Sequence, residues 1–592
     1  MSANVTADFI FGTLATDDSR LDVLRAAGRA VHHANRTVPV DPLPDEPVEL
    51  VVSVGTEVAA ARVVAWYSTG DAEPTPDAPH ILLEPGHVVW DTLLWGYRRE
   101  WRGSLPTQPT GTLVRYRVAA ETHDGPVIWA DPDPWTGLPA TFAYHVDRLG
   151  VPTWLRDAVV YHDRFAANAG VFWDMSLGLD QFFGGTLRGI LDRLPYLAAL
   201  GVTCLWLSPV FPSPSHHGYD ATDYLAVEPR LGSADDLHAL LAAAHAQRIR
   251  VLLDFVANHV SSDHPAFRRA RADSNAPERS WFTFDASGAA YRSFFGVASM
   301  PQLDTDDRGA ANYLIAAATH WLRQGVDGFR LDYANGPSHG FWSAFRAAAR
   351  EANPDAALLG EVVETAELQR SYQGRLDGTL DFLLLQQFRG FFAFETLSAP
   401  AFAAFLDRHL AFFPADFVLP SFLDNHDMNR FLWIVNGDTR RLKLAALCQF
   451  TLPHPPIVYY GTEVGLSQRH DLTCLDGSRR LEESRLPMPW GADQDRDLLR
   501  FYSDLIALRR RSPDLWRGRR TSVAATAAGL YAVSITTDRQ HAVVAFNRGH
   551  DNQRLELANP PTLALATASG VRQTHRDLFL PPMAGALLLA QT

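Results

Sequence analysis

Between residues 45 and 145 the apolar positions come in short runs rich in Val, Tyr and Trp: "VELVVSVG", "AARVVAWYS", "HILLEP" and "VRYRVAAET". Pro, Gly and Asp turns separate them, a pattern that predicts an antiparallel β-sandwich over residues 1–150. "WADPDPWTGLPATF" is a Pro-rich link to the next region. From about residue 151 short buried-strand runs alternate with longer helical segments, which predicts repeated βα units. The strand candidates are "AVVYH" (158–162), "VTCLWLSP" (202–209), "IRVLLDFV" (249–256) and "VDGFRLD" (326–332). "ALLGEV" (357–362), "LDGTLDF" (376–382), "FVLPSFLD" (417–424) and "PPIVYYGTE" (455–463) continue the series. Eight strands with intervening helices predict an α/β fold, a (β/α)8 or TIM barrel, over residues 151–512. "TLRGILDRLPYLAALG" reads as an amphipathic helix between the first two strands. A doubly wound sheet is the structural rival, but no G-x-G-x-x-G opens a helix after a strand. The third strand runs into a long excursion, a loop subdomain at 259–307, before the helix "ANYLIAAATHWLRQ". Such loops on the C-terminal side of a barrel carry function more often than not. Past residue 513, "GLYAVSITT", "HAVVAFNRG" and "GALLLAQT" predict a C-terminal antiparallel β-domain.

Composition adds little to this picture but excludes several classes. The chain has 592 residues, 47% hydrophobic and 11% aromatic, as expected of a folded multidomain protein. A net charge of −14 argues against nucleic acid as a partner. Arginine carries nearly all the positive charge, Lys443 being the sole lysine. Cys204, Cys448 and Cys474 show neither a disulfide framework nor metal spacing. No apolar stretch is long enough to span a bilayer, and Met1 to Leu14 lacks the form of a signal peptide. A cytoplasmic protein with no membrane partner is expected.

The chemistry lies at the strand ends, where a barrel enzyme keeps its catalytic groups. The third strand ends in Asp254, Asn258 and His259 ("DFVANH") and the fourth in Arg330 and Asp332 ("GFRLD"). The fifth ends in Glu361 ("GEV") and the seventh in Asp424, His426 and Asp427 ("FLDNHD"). Taken singly, each has a plain structural explanation: a solvated strand end, a strand-end cap, an Arg–Asp pair that steadies the barrel mouth. Apolar runs that end repeatedly in acids are costly unless those acids are paired or used.

In that order the four motifs resemble those of the α-amylase family of glycoside hydrolases. "MPQLD" (300–304), "LSPVFPSPSHHGYDATDY" (207–224) and "GTEVGL" (461–466) resemble its auxiliary motifs. With the β-domain in front of the barrel, the likeness is greatest to the cyclomaltodextrinase, neopullulanase and maltogenic-amylase branch. The resemblance implies that Asp332 is a nucleophile, Glu361 the general acid/base, and Asp427 the carboxylate that stabilises the oxocarbenium-like transition state. A retaining mechanism places the first two carboxyls about 5–5.5 Å apart. Arg330 should keep Asp332 ionised, whereas Glu361 needs surroundings that raise its pKa. His259 and His426 match histidines that hydrogen-bond sugar hydroxyls, Tyr219 a tyrosine that stacks on the sugar ring, and Asp254 another substrate-site residue. No cofactor is implied; structural calcium is allowed, with Asn258 as its candidate ligand. Two departures stand out: "YHDRF" (161–165) is shorter than the family's first-strand motif, and Asn335-Gly336 comes after the nucleophile motif where Asn-Glu is common.

The leading expectation is therefore a retaining hydrolase of α-1,4 bonds in maltooligosaccharides, cyclodextrins, starch or pullulan. A transglycosylase, glucanotransferase or trehalose-forming enzyme on the same scaffold is the first alternative. An inactive glycan-binding protein is the second. The β-domain in front of the barrel suits glycan binding or a homodimer, again by resemblance.

Overall fold

The Val- and aromatic-rich runs before residue 147 pair as antiparallel strands. The computed structural model describes residues 18–163, 185–473 and 481–591, apart from Asp71, Asp124, Pro126, Asn559 and Pro560. Met1 to Leu14, Arg164 and Phe165 of "YHDRF", and Cys474 lie outside the described residues. Nine described strands of the N-terminal region form one continuous sheet. Its two faces are joined through the strand His80–Asp91. That strand pairs with Ala60–Thr69 through residues 80–83 and with Gly96–Leu105 through residues 84–91. The register shifts between Pro85 and Val88, where proline has no N–H to give the ladder. Leu50, Val52, Val63, Leu83, Trp101 and Tyr116 fill the space between the faces.

Parallel pairing then runs without a break through Val160–Asp163, Cys204–Leu207, Arg250–Val256, Gly328–Asp332, Ala357–Gly360 and Gly378–Thr379. Ile457–Tyr459 pairs with the first of these from the other side. The barrel differs from expectation at two places. The sixth strand is only two residues long, and the seventh segment forms no ladder. It bridges its neighbours singly, Val418 to Gly378 and Ser421 to Pro456. Prolines explain this, because Pro420 and Pro456 supply no donor where a ladder needs one. Even so, Val418, Pro420 and Ser421 exchange backbone bonds with both sides, so the ring of eight closes.

The helix Leu187–Leu200 follows the expected periodicity. Leu187, Ile190, Leu194, Leu197 and Leu200 are buried on one face, each contributing about 1.5–3 kcal/mol. The Thr186 hydroxyl accepts the Gly189 N–H at its start, and Gly201, at φ 96°, ends it in a left-handed turn that glycine adopts freely. The excursion after the third strand carries the helix Pro265–Ala272 and is tied back by single bridges, His259 to Gln302 and Phe282 to Leu303. Arg375 fastens barrel to N-terminal sheet by donating to the carbonyls of Val40 and Ala143. After residue 516 come a five-stranded and a three-stranded antiparallel sheet around Leu530, Val543, Leu555, Leu578 and Leu588. Among the described residues no helix is long and apolar enough to cross a membrane.

Candidate active site

Strand register does most of the assembly. Asp254 and Arg330 sit opposite each other on neighbouring strands. Arg330 and Asp332, two residues apart, project to the same side of theirs. The Arg330 guanidinium is 1% exposed and divides itself among three acids. Its Nη1 donates to Asp254 Oδ1 at 2.7 Å and to Asp332 Oδ1 at 2.9 Å, and its Nη2 lies 2.8 Å from Glu361 Oε2. Asp254 Oδ2 accepts the Trp206 indole N–H (3.2 Å) and the Tyr219 hydroxyl (3.0 Å). Tyr219 lies flat against His426, ring centres 5.4 Å apart and planes 5° apart. His426 Nε2 stands 2.7 Å from the Tyr219 hydroxyl and 2.9 Å from Asp427 Oδ2. Asp332, Glu361 and Asp427 are thus joined in one buried network.

Glu361 is held differently from its neighbours. The Tyr333 N–H donates to its Oε2 at 3.2 Å, with Tyr333 itself in a left-handed turn at φ 41°. Its Oε1 is buried without a partner. Burial, with help from the negative charges of Asp427 and Asp254, raises the Glu361 carboxyl to about 7 against the downward pull of Arg330. Burial also pushes Asp332 well above the usual range, again against Arg330. This departs from the expectation that Arg330 alone keeps Asp332 ionised, because its single charge serves three carboxylates. Both carboxyls are thus raised against the pull of one shared guanidinium. Asp427 goes the other way. Burial would raise it, but His426, Arg485 and Arg330 together hold it well below the ordinary carboxylate range.

The remaining candidates fall around this core. His259 stacks on Phe294 with centres 4.4 Å apart, and burial pushes its imidazole down to about 3, so the ring is neutral. Its Nε2, like Nδ1 of His426, is buried without a partner. Both are placed to meet a polar ligand. Asn258 is engaged elsewhere: its Oδ1 accepts the Gln302 side-chain N–H at 3.0 Å and its Nδ2 lies 3.2 Å from His259 Nδ1. Among the described residues no group of three or more His, Cys, Asp or Glu could hold a metal ion. Asp424, grouped by sequence with the seventh-strand acids, is committed to the Phe431 N–H and the Thr462 hydroxyl instead.

Sequence reasoning missed three participants. Trp206 lies in "CLWL", a run that reads as plain core, yet its indole N–H reaches Asp254. Arg485 donates to Asp427 Oδ1 at 3.2 Å and to Glu482 at 2.7 Å. Neither Arg485 nor Glu482 ends a strand, and that was the signal the sequence offered.

The family model for the alpha amylase catalytic domain matches residues 159–497. Alpha-amylase 2 of Dictyoglomus thermophilum is 41% identical over 379 residues, covering 63% of this chain and 66% of that protein, just under two thirds of its length. Neopullulanase 2 of Thermoactinomyces vulgaris is 35% identical over 468 residues, 74% of this chain and 78% of that one. A solved cyclomaltodextrinase structure superposes with a TM-score of 0.66 at 27% identity, over 94% of this chain and 99% of its own.

Proposed function

The chain belongs to the α-amylase family of glycoside hydrolases, and on that premise we propose that it cleaves α-1,4-glucosidic bonds with retention of anomeric configuration. Maltooligosaccharides, cyclodextrins, starch and pullulan are its substrate class. One buried guanidinium shared by acids from three adjacent strands, beside an acid with an unpartnered oxygen, carries the reading.

Asp332 attacks the anomeric carbon while Glu361 gives its proton to the departing glycosidic oxygen. The C1–O bond breaks and a glycosyl ester on Asp332 forms. Water then attacks C1, Glu361 takes its proton, and Asp332 leaves as the carboxylate, which restores the site. Arg330 takes up part of the charge on Asp332 through Oδ1 and leaves the other oxygen to attack. Glu361 suits the acid role because its carboxyl sits near 7 and Oε1 is uncommitted. Asp427, an anion from the outset, faces the positive charge that develops on the ring. His259 and His426 offer their unpartnered nitrogens to sugar hydroxyls, and Tyr219 offers its ring face. No step passes through a metal ion.

Two further elements complete the proposal. Cys204 and Cys448 are buried free thiols, which suits a cytoplasmic setting. The hairpin of His80–Asp91 and Gly96–Leu105 leaves Val88, Trp90, Trp95 and Tyr97 exposed together, which suits a homodimer contact.

Incubation with maltotriose, β-cyclodextrin, pullulan and soluble starch tests the proposal, with an Asp332→Asn variant in parallel. The expected result is early release of α-anomeric products, lost on the order of 10^6-fold in the variant, the scale of removing a covalent nucleophile. No turnover of any of the four, or equal turnover by the variant, defeats it.

A further inference from the structure

A second cavity lies at the opposite end of the barrel from the three carboxylates. It holds about 760 Å³ between the helix Ala399–Phe412 and the strand Arg519–Ala525 of the C-terminal domain. Arg156, just before the first barrel strand, and His454, just before the eighth, line its floor. Ligand pockets span about 300–1,000 Å³, so the space suits a small organic molecule. We propose that this slot binds an amphipathic organic anion, an alkyl carboxylate, with its head at Arg156 and Arg520 and its chain along the helix. The inference stands apart from the hydrolase reading.

The walls explain the shape. Pro400, Ala403, Ala404, Asp407, Leu410 and Ala411 recur at helical spacing along one wall. From Pro400 to Ala411 that face runs about 16 Å at 1.5 Å per residue. Three of its side chains are single methyl groups, whereas Phe402, on the other side of the helix, is fully buried in the barrel core. The facing wall is the strand, where Ser522 and Ala525 line the slot with their cross-strand partners Val533 and Tyr531. From Arg520 to Ala525 it runs about as far, at roughly 3.3 Å per residue. The result is a long apolar slot that small side chains leave unfilled.

Charge gathers at one end of it. Arg156, Arg517, Arg520 and His454 line the slot, against Asp407 as the single carboxylate among the described lining residues. Arg517 is answered by Asp157 and Asp514. Arg156 and Arg520 have no carboxylate within ion-pair distance among the described residues, and Arg520 Nη1 donates to the neutral Thr451 carbonyl at 2.8 Å. In a chain of net charge −14, two guanidiniums without an acid mark a place that attracts anions. Burial pushes the His454 imidazole down to about 4 against the pull of Asp381, so it adds a polar group without charge. A carboxylate answers the guanidiniums through charge-assisted bonds, and an apolar chain covers the methyl-lined length. A neutral sugar would leave the charges unanswered, and a compact inorganic anion would leave the slot empty.

Isothermal titration calorimetry of the full chain tests this with decanoate, and with decyltrimethylammonium as a like chain of opposite charge. Both are used below their micelle thresholds. Decanoate should bind one to one and the cation should not bind. Arg156→Gln combined with Arg520→Gln should weaken decanoate at least about tenfold, the scale of one charge-assisted hydrogen bond. Ala404→Trp fills the slot and should abolish binding with both guanidiniums in place. Thermal unfolding shows whether each variant is folded, and if Ala404→Trp is not, the arginine pair decides alone. No decanoate binding, binding of several equivalents, equal binding of the two amphiphiles, or unchanged affinity in the arginine double variant overturns the assignment. So does undiminished binding by a folded Ala404→Trp.

Discussion

A Glu361→Gln variant should be catalytically crippled yet increasingly more stable than the wild type as pH rises. The carboxyl of Glu361 is 1% exposed and is raised from an ordinary 4.5 to about 7, first by burial and then by Asp427 and Asp254. For a raised carboxyl the sign is fixed. Between pH 4.5 and 7 the unfolded chain has released this proton while the folded chain still holds it. Wild-type stability therefore falls through that window and levels off above it. A shift of about 2.5 units at 1.36 kcal/mol each amounts to roughly 3 kcal/mol. Glutamine has no proton to lose, so its stability lacks this slope, and whatever it changes in pH-independent contacts cancels in the comparison. With about 2.1 cal/mol/K of unfolding entropy per residue, a barrel of about 350 residues moves roughly 1.4 °C per kcal/mol. The gap in melting temperature should widen by about 4–5 °C between pH 4.5 and pH 8, most of it below pH 7. Differential scanning calorimetry of both proteins at half-unit pH steps reads this directly. A constant gap across the range would refute the claim that Glu361 is a buried acid destabilised by its own ionisation.

Three other outcomes are expected from the geometry of the molecule. Wild-type kcat/KM should fall tenfold per pH unit above about 7 as Glu361 loses its proton, a limb absent from Glu361→Gln when an activated aryl glycoside is the substrate. Gly378→Ala would set a Cβ 1.9 Å from the Val418 carbonyl oxygen, where the seventh segment meets the sixth strand. A loss of about 1–3 kcal/mol or more is expected, read as a lowered melting temperature. Trp95→Ser combined with Tyr97→Ser removes two exposed rings, 78% and 67% accessible, from the hairpin. On the proposed homodimer contact, sedimentation velocity should then show a shift towards monomer, with maltotriose turnover retained per folded site.

What the sequence disclosed depended on whether a residue sits where its local pattern says it should. "CLWL", "RVLLDFV", "GFRLD" and "ALLG" are apolar runs that the barrel buries as strands, so both the strands and the acids ending them were legible. The seventh segment had the same texture, but Pro420 and Pro456 remove ladder donors and only the tertiary ring holds it in place. The turn of His80–Asp91 from one face to the other was equally invisible, because a register shift leaves no periodicity of its own. At the site, the carboxylates were legible and their electrostatic partition was not. One strand motif cannot reveal that Arg330 answers to three acids, or that a loop some 58 residues beyond Asp427 returns Arg485 to it.

The uneven lacing of the barrel has a mechanical meaning. Asp332 and Glu361 are mounted on staves with full rungs between them, four consecutive paired positions from Gly328–Ala357 to Leu331–Gly360. Asp427 hangs from the one stave attached by single rungs. The two groups that exchange bonds with the substrate are thus set by the backbone ladder itself, whereas the third carboxylate owes its place to side chains, His426 and Arg485, that reach it from outside any ladder.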